Sequence, residues 1–124
     1  VHPLDRKIEQ VSTTDIGRAA IRALTDPADG QRYVSVAGPE AISTADVALA
    51  VAGRLDSAVN PVALAPESWD AIWAGLDWSP DRRRLYAEFF TSINDGTAVF
   101  DPADELWRGT DGIADVASRM LNAG

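Results

Sequence analysis

Aromatic side chains are concentrated in one short part of this 124-residue sequence, and they are its clearest candidates for binding chemistry. Aromatic walls with a few polar groups are typical of pockets that hold apolar or planar small molecules. The same helical spacing is also usual for residues that pack in a protein core, so both interpretations stay open. The predicted ligand-binding aromatic residues are Trp69, Trp73, Trp78, Tyr86, Phe89 and Phe90.

Charged residues lie close to these aromatic residues in the sequence and indicate two further kinds of chemistry. If a tryptophan ring desolvated Asp70, Asp77 or Glu88, the pKa of that carboxyl would rise and it could act as a general acid or base. Arg83 lies in a run of three arginines, and its guanidinium group suits recognition of a ligand carboxylate. The alternatives are ordinary surface carboxylates and a solvated arginine face that neighbouring acids neutralise.

Other catalytic chemistries have little support in the composition. The sequence has no cysteine, which excludes disulfides, thiolate nucleophiles and zinc–thiolate sites, and its carboxylates lack the spacing of a metal-binding loop. The one histidine, His2, lies beside the first residue and makes a poor catalytic base. Ser12, Ser43 and Ser79 fit helix caps or strand ends better than nucleophiles.

The net charge of −8 at pH 7 predicts which partners are unfavourable. Nucleic acids and anionic membrane surfaces would repel the chain, and no apolar run approaches the ~18 residues of a membrane span. We therefore expect neither nucleic acid nor membrane as a partner. The lack of cysteine and of a basic, apolar leader favours a cytoplasmic location.

The first half of the chain carries the signals of alternating strands and helices. Ser43, with Asp46 three residues later, is the clearest helix start, because each side chain can cap a backbone N–H of the other. Pro61 favours a sheet edge for the strand that contains it, and the strand–helix–strand spacing predicts a parallel pair. The predicted elements are a short strand at Ile8 and Val11, a helix at 15–25 capped by Thr13 or Thr14, a strand at 32–37, a helix from Ser43 to Leu55 and a strand at 59–65.

The second half is richer in helix signals. Ser79 followed by Pro80 predicts an N-cap and a first helical residue, and Asp95-Gly96 predicts the end of that helix. The predicted elements are a helix at 67–76, a helix from 80 to 94, a helical turn at 105–107 after Pro102 and a terminal helix at 113–121. Together these signals predict one α/β domain with a small, mostly parallel sheet of two or three strands and five to six helices. Its βαβ-like portion spans 1–65 and its helical portion spans 66–124.

The order of several short motifs resembles that of one known family. The motifs are Ser12-Thr13-Thr14-Asp15-Ile16-Gly17, Ala37-Gly38-Pro39-Glu40, Ile42-Ser43-x-x-Asp46 and a tail of helices that contains Trp and Phe residues. This order resembles the C-terminal half of NmrA-like proteins, which are atypical members of the short-chain dehydrogenase/reductase superfamily. The resemblance covers most of the chain, and it implies a domain that shapes a pocket for a substrate or a regulatory partner.

The coenzyme-binding features of that superfamily are missing from this sequence. The resemblance implies a preceding Rossmann half, whose glycine-rich turn presents backbone N–H groups to a dinucleotide pyrophosphate. The turn at 38–40 cannot replace it because Pro39 has no N–H to donate. The superfamily's Tyr-x-x-x-Lys pair is also missing, since Lys7 is the only lysine and no tyrosine lies four residues before it. We expect no cofactor in this chain and no hydride transfer by this chain alone.

These observations lead to three hypotheses of function. The leading one is a small-molecule (substrate or effector) binding domain of an NmrA-like protein, with a nucleotide-binding half in a longer parent chain or in a separate subunit. The second is a stand-alone, cofactor-free isomerase, cyclase or dehydratase that acts on an apolar metabolite through a perturbed carboxylate. The third is a structural interaction module whose four tryptophans are all core. Because large apolar patches rarely stay exposed, the leading hypothesis also predicts a homo-oligomer for the isolated chain.

Overall fold

Five helices and one two-stranded sheet form the fold over residues 3–26, 29–102 and 105–122, the residues that this computed structural model describes. The fold confirms the predicted small α/β domain with a parallel sheet and a high helix content. His2 lies outside the described residues. The elements in chain order are α1 (Thr13–Thr25), β1 (Val34–Ala37), α2 (Thr44–Leu55), α3 (Pro66–Gly75), α4 (Pro80–Asp95), β2 (Glu105–Arg108) and α5 (Ile113–Asn122).

The sheet pairs β1 with β2 in parallel, although three helices lie between the two strands in the sequence. A parallel pair was predicted, but with a different partner for β1. The long connection between the strands contains α2, α3 and α4. The strand pairing therefore fixes the two ends of the segment that carries these helices. The paired residues are Val34 with Glu105, Ser35 with Leu106, Val36 with Trp107 and Ala37 with Arg108.

Two predictions of secondary structure between α2 and α5 are wrong, and both errors have a physical reason. The stretch 59–65 forms no strand, because Pro61 has no N–H for a ladder and Val62 stays exposed instead of packing against a sheet. The stretch 105–107 is part of β2 and not a helical turn. Within β2, exposed Leu106 is followed by buried Trp107, which is the alternation expected of a strand.

The lead-in segment, residues 3–12, runs beside the end of β1 and the start of α2. Ile8 forms a single antiparallel bridge with Ile42, with N–H···O distances of 3.0 and 3.1 Å, in place of the predicted short strand. The Gly38 N–H donates to the Gln10 carbonyl over 2.7 Å. These bonds hold the lead-in segment against the body of the domain.

The starts of α2 and α4 follow local capping chemistry, as predicted. The Asp46 N–H donates to Ser43 Oγ over 3.1 Å, and the Ser43 N–H donates to Asp46 Oδ2 over 2.8 Å, which completes a capping box. α4 begins at Pro80 behind the Ser79 cap. It ends at Gly96, whose φ of +81° lies in the left-handed region that favours glycine.

α1 begins earlier than predicted. Its N-cap is Ser12, whose backbone is extended (φ −71°, ψ 146°) and whose Oγ accepts a hydrogen bond of 2.9 Å from the Asp15 N–H. The predicted cap at Thr13 or Thr14 is therefore wrong, because both threonines already have helical geometry.

α1 presents its apolar stripe to solvent. Its polar face is directed toward β2, where the Arg22 guanidinium lies 3.9 Å from the centre of the Trp107 ring. The opposite side is uncovered, and Leu24 keeps 82% of its surface exposed. The residues of this exposed α1 stripe are Ile16, Ala20, Ile21 and Leu24.

The buried core is small for the size of the chain. α2 packs on α5 and α3 packs on α4, yet the chain exposes 8453 Å² of surface. A compact monomer of this mass exposes about 6,400 Å². The chain is thus less compact than such a monomer, and large apolar side chains such as Leu24 and Leu49 are among its exposed residues. Among the described residues, the buried hydrophobic side chains are Ala37, Ala48, Trp69, Trp73, Ile93, Trp107 and Ala117.

Replacing Gly38 by alanine tests the close approach between the lead-in segment and β1. A Cβ at this position would lie 2.5 Å from the Gln10 carbonyl oxygen, so we expect Gly38→Ala to lower the free energy of unfolding by about 1–3 kcal/mol. The matched control is Gly53→Ala in α2, where a Cβ meets no atom within 4 Å and alanine should stabilise by roughly 0.5–1 kcal/mol. Urea unfolding measures both changes. Equal effects at the two positions would contradict the assignment.

Candidate functional site

The predicted aromatic residues come together between α3 and α4. Trp69 and Trp73 are buried, and the Trp69 Nε1–H donates to the Leu64 carbonyl over 3.0 Å. The rings therefore form the hydrophobic core of the α3–α4 hairpin, with Trp73 at its centre. The distances from the Trp73 ring centre are 5.6 Å to Trp69, 5.7 Å to Trp78, 6.1 Å to Phe90 and 6.4 Å to Tyr86.

Arg83 closes this hairpin instead of facing a wide pocket. Its Nη1 donates to both carboxylate oxygens of Asp70, each over 2.9 Å. A cavity of about 190 Å³ remains beside Arg83, Trp69 and Trp73, which is smaller than the roughly 300–1,000 Å³ of most ligand pockets. The guanidinium charge is thus already paired within the chain.

The three carboxylates considered for proton transfer are open to solvent. The Asp70 side chain is 80% exposed even though it pairs with Arg83. Glu88 forms a surface ion pair with Arg84, one turn earlier on α4, and Asp77 is exposed in the α3–α4 turn at a φ of +58°. Because no tryptophan ring desolvates them, they lack the environment that a general acid or base at neutral pH requires.

Phe89 faces a different space from the rest of the aromatic set. Its ring lies 5.4 Å from that of Phe90, yet 54% of the residue is exposed. It lines a cleft of about 580 Å³ between the lead-in segment and the end of α4, which falls within the usual volume of ligand pockets. We call this space the Phe89 cleft. Its apolar lining includes Ile8, Ala41, Phe89, Ile93, Val99 and Phe100.

Charged side chains from the lead-in segment also line the Phe89 cleft. Arg6 donates to the Ile93 carbonyl near the end of α4, where the helix dipole favours a cation. Glu9 accepts two hydrogen bonds of 2.8 Å from Arg108, and these bonds lower the pKa of its carboxyl. Lys7 completes the set, with its Nζ 4.0 Å from an oxygen of Asp46.

Sequence reasoning identified Phe89 but missed the other walls of this cleft. Val99 and Phe100 follow the Gly96 helix end, and Ile8 lies far from them in the sequence. The available signal was the apolar run Ala98-Val99-Phe100 in the short connection after α4. These residues form a cleft wall only because folding brings the lead-in segment opposite them.

A second polar cluster joins the start of α1 to the loop after β2. Asp15, which sequence reasoning did not single out as a site, is buried there, and its carboxylate accepts hydrogen bonds from the Asp111 N–H (2.9 Å) and from Arg18 (2.7 Å). Burial alone raises the pKa of Asp15, but the bonds from Asp111, Arg18, Thr110 and Ser12 outweigh it and lower the pKa to about 2. A carboxylate so fully bonded acts as a structural tie and not as a proton acceptor.

In comparisons with known proteins, no family model, no curated protein and no solved structure matches this chain. Within residues 3–26, 29–102 and 105–122, none of the helices has the length and apolar character needed to cross a bilayer. The same described residues hold no group of three or more His, Cys, Asp or Glu side chains placed to bind a metal ion. The chemistry available to the Phe89 cleft therefore follows from its own lining and charges.

The Asp15 tie makes stability depend on pH. Because its folded-state pKa of about 2 lies below the ordinary value of 3.8, its contribution is full above about pH 4 and is lost as the pH falls toward 2. Asp15→Asn cannot make this contribution at any pH. We expect wild type to be more stable than this variant at pH 7, with a difference that shrinks below pH 4. Urea unfolding from pH 7 to 2.5 measures it, and a constant difference would refute the assignment.

Proposed function

We propose that this chain is a small-molecule (substrate or effector) binding domain of an NmrA-like protein, and that its nucleotide-binding half belongs to a longer chain or to a separate subunit. The observation that carries the proposal is the Phe89 cleft, an open and mostly apolar space of about 580 Å³. It lies in a chain whose sequence lacks the glycine-rich loop and the Tyr-x-x-x-Lys pair of the superfamily. Such a chain can hold a substrate or an effector without performing hydride transfer.

The lining of the cleft suits an apolar or planar ligand. Phe89, Val99 and Phe100 are all exposed, so a ligand that covers them removes apolar surface from water at a gain of about 25 cal/mol per Å². Phe89 and Phe100 also offer ring faces and edges to an aromatic ligand. The α3–α4 hairpin core supports this wall, because the Phe89 ring rests against Phe90.

Uncovered surface elsewhere supports a missing partner half. Parallel sheets are nearly always covered on both faces, and a sheet of only two strands is rarely stable alone. The exposed α1 stripe is on the side of α1 that faces away from β2, and Leu24 is among its most accessible residues. The excess surface of the chain points the same way. A second protein half, or a second copy of this chain in its absence, would supply the cover.

The other two hypotheses have weaker support. A cofactor-free enzyme needs a perturbed carboxylate inside its pocket. Within the part of the chain that the structure describes, the carboxylate lining the Phe89 cleft is Glu9, and Arg108 holds it ionised. A purely structural module agrees with the burial of Trp69, Trp73 and Trp107. That module does not account for the open cleft at Phe89.

Binding of a neutral, planar dye tests the cleft directly. We expect phenylnaphthylamine to bind the wild-type chain with enhanced fluorescence, and Phe89→Ala to weaken binding about tenfold because it removes a ring from the wall. The matched control is Leu85→Ala, since Leu85 is on the same helix, is also 54% exposed and does not line the cleft. It should leave the dissociation constant unchanged.

Two results would count against this assignment. One is loss of dye binding to the same extent in both alanine variants. The other is a clear rise in the melting temperature with NADPH, since that would place coenzyme binding within this chain and remove the need for a nucleotide-binding half.

Assembly of the isolated chain tests the uncovered α1 stripe. We expect the wild-type chain to sediment above its monomer mass of 13.2 kDa, and Leu24→Glu to restore the monomer because a charge cannot be buried in an apolar contact. Since Leu24 is exposed, the substitution should change the free energy of unfolding of the monomeric chain by less than about 0.5 kcal/mol. Val62→Glu, an exposed site away from the stripe, is the control and should not alter assembly. A monomeric wild type at all concentrations would refute this part of the proposal.

A further inference from the structure

We propose that the ligand of the Phe89 cleft carries a negative charge, so that its class is an apolar, planar acid whose anionic group is paired by Lys7. This inference rests on the proposed function and adds the ionic character of the ligand. The inference rests on a difference among the charged side chains that line the cleft. Arg6 and Glu9 are already paired within the chain, whereas Lys7 is only weakly paired.

Among the described residues, three charged side chains line the cleft, and two of them are already paired within the protein. Arg6 donates to the Ile93 carbonyl and lies near Asp95, on whose carboxyl it acts as a favourable charge. Glu9 forms a bidentate ion pair with Arg108, which donates two hydrogen bonds of 2.8 Å to its carboxylate. Neither group is free to meet a ligand without breaking a contact of the fold.

Lys7 is only loosely held. Its Nζ lies 4.0 Å from Asp46 Oδ2, at the outer limit of an ion pair, and 61% of its side chain is exposed. That same oxygen already accepts hydrogen bonds of 2.8 Å from the Ser43 N–H and from Ser43 Oγ as part of the α2 cap. The ammonium group therefore keeps most of its capacity for a ligand anion.

The position of Lys7 also favours this role. Its neighbour Ile8 is bridged to Ile42, so the backbone is anchored while the four-carbon stem remains free to swing. Lys7 lines both the Phe89 cleft and an adjacent cavity of about 230 Å³ that includes Leu49 and Ile113. An ammonium at the edge of the mostly apolar Phe89 cleft can pair an acid group while the apolar body of the ligand rests on Phe89.

The net negative charge of the whole chain restricts where a ligand anion can bind, and Lys7 is a place where it can. With a net charge of −8, the protein field repels anions, so an anion is held only where a cation acts at short range. Lys7 is the only lysine of the sequence. Two carboxylates lie near it, but Glu9 is ion-paired with Arg108, and the contact of Lys7 with Asp46 is long, at 4.0 Å. A ligand anion would gain a charge–charge attraction from Lys7 that a neutral ligand of the same shape lacks.

Two dyes with the same apolar body separate this inference from the proposed function. Phenylnaphthylamine is neutral, and anilinonaphthalenesulfonate adds one sulfonate to the same rings. We expect Lys7→Met to weaken binding of the sulfonate about three- to tenfold and to leave the neutral dye unchanged, while Lys7→Arg keeps the affinity for both. Phe89→Ala should weaken both dyes. Raising the salt from about 0.05 to 0.5 M should weaken the sulfonate in wild type but not in Lys7→Met.

The outcomes are distinguishable. Equal sulfonate affinity in wild type and Lys7→Met, or equal losses for both dyes in Lys7→Met, would overturn the anion inference while the cleft itself stands. Failure of the wild-type chain to bind either dye would overturn the proposed function together with the inference. Near-ultraviolet circular dichroism and urea unfolding should overlay for wild type and the Lys7 variants, because this side chain is mostly exposed. A changed spectrum in Lys7→Met would assign Lys7 to the fold and also overturn the inference.

Discussion

The parallel pairing of β1 with β2 is the constraint on which the rest of the structure depends. It brings a strand from the first third of the chain beside one near its end, and all of α2, α3 and α4 lie in the connection. Closing so long a loop costs chain entropy, so the pairing has to be supported by contacts around it. The buried Trp107 ring, the bidentate ion pair between Arg32 and Glu105, and the Asp15 tie to the loop after β2 supply that support.

In the second half of the chain, the aromatic core and the proposed binding wall are formed by different side chains. The α3–α4 hairpin keeps its own aromatic core, with Trp73 stacked on Trp78 at an interplanar angle of 17° and capped from outside by the pair of Arg83 with Asp70. Phe89 lies one residue before Phe90 of that core, yet it faces the cleft. A rigid core directly behind an exposed ring is a favourable arrangement for a binding wall, because the ring loses little freedom when it meets a ligand.

Electrostatic contacts act locally in this acidic chain. Most carboxylates with shifted pKa values, such as Asp46, Asp95 and Asp111, are bonded to nearby backbone groups, hydroxyls or arginines, and each has its pKa lowered by those bonds. They stabilise caps and loops in the ionised form. Apart from these ties, much apolar surface remains uncovered on α1, which is the main structural reason to place this domain against another protein surface.

The boundaries of α2 and α4 could be read from the residues alone because they depend on contacts within one turn, whereas the predicted start of α1 was wrong. Ser43 with Asp46 fixes the start of α2, and Pro80 and Gly96 delimit α4, since caps and left-handed ends need only neighbouring atoms. The pairing of β1 with β2 could not be read in this way. A strand of four residues has no stability of its own, and its partner is chosen by packing across distant segments.

The proposed binding site shows the same division. The spacing of the aromatic residues in α3 and α4 predicted that they cluster. It did not predict which rings contact each other and which face an opening. That difference arises when the lead-in segment folds back opposite the end of α4 and leaves Phe89, Val99 and Phe100 around one space. Local sequence sets which helices form, because helix formation is a short-range property. The burial of a side chain and the walls of a cleft are long-range properties, because they arise only when residues far apart in the sequence pack against each other.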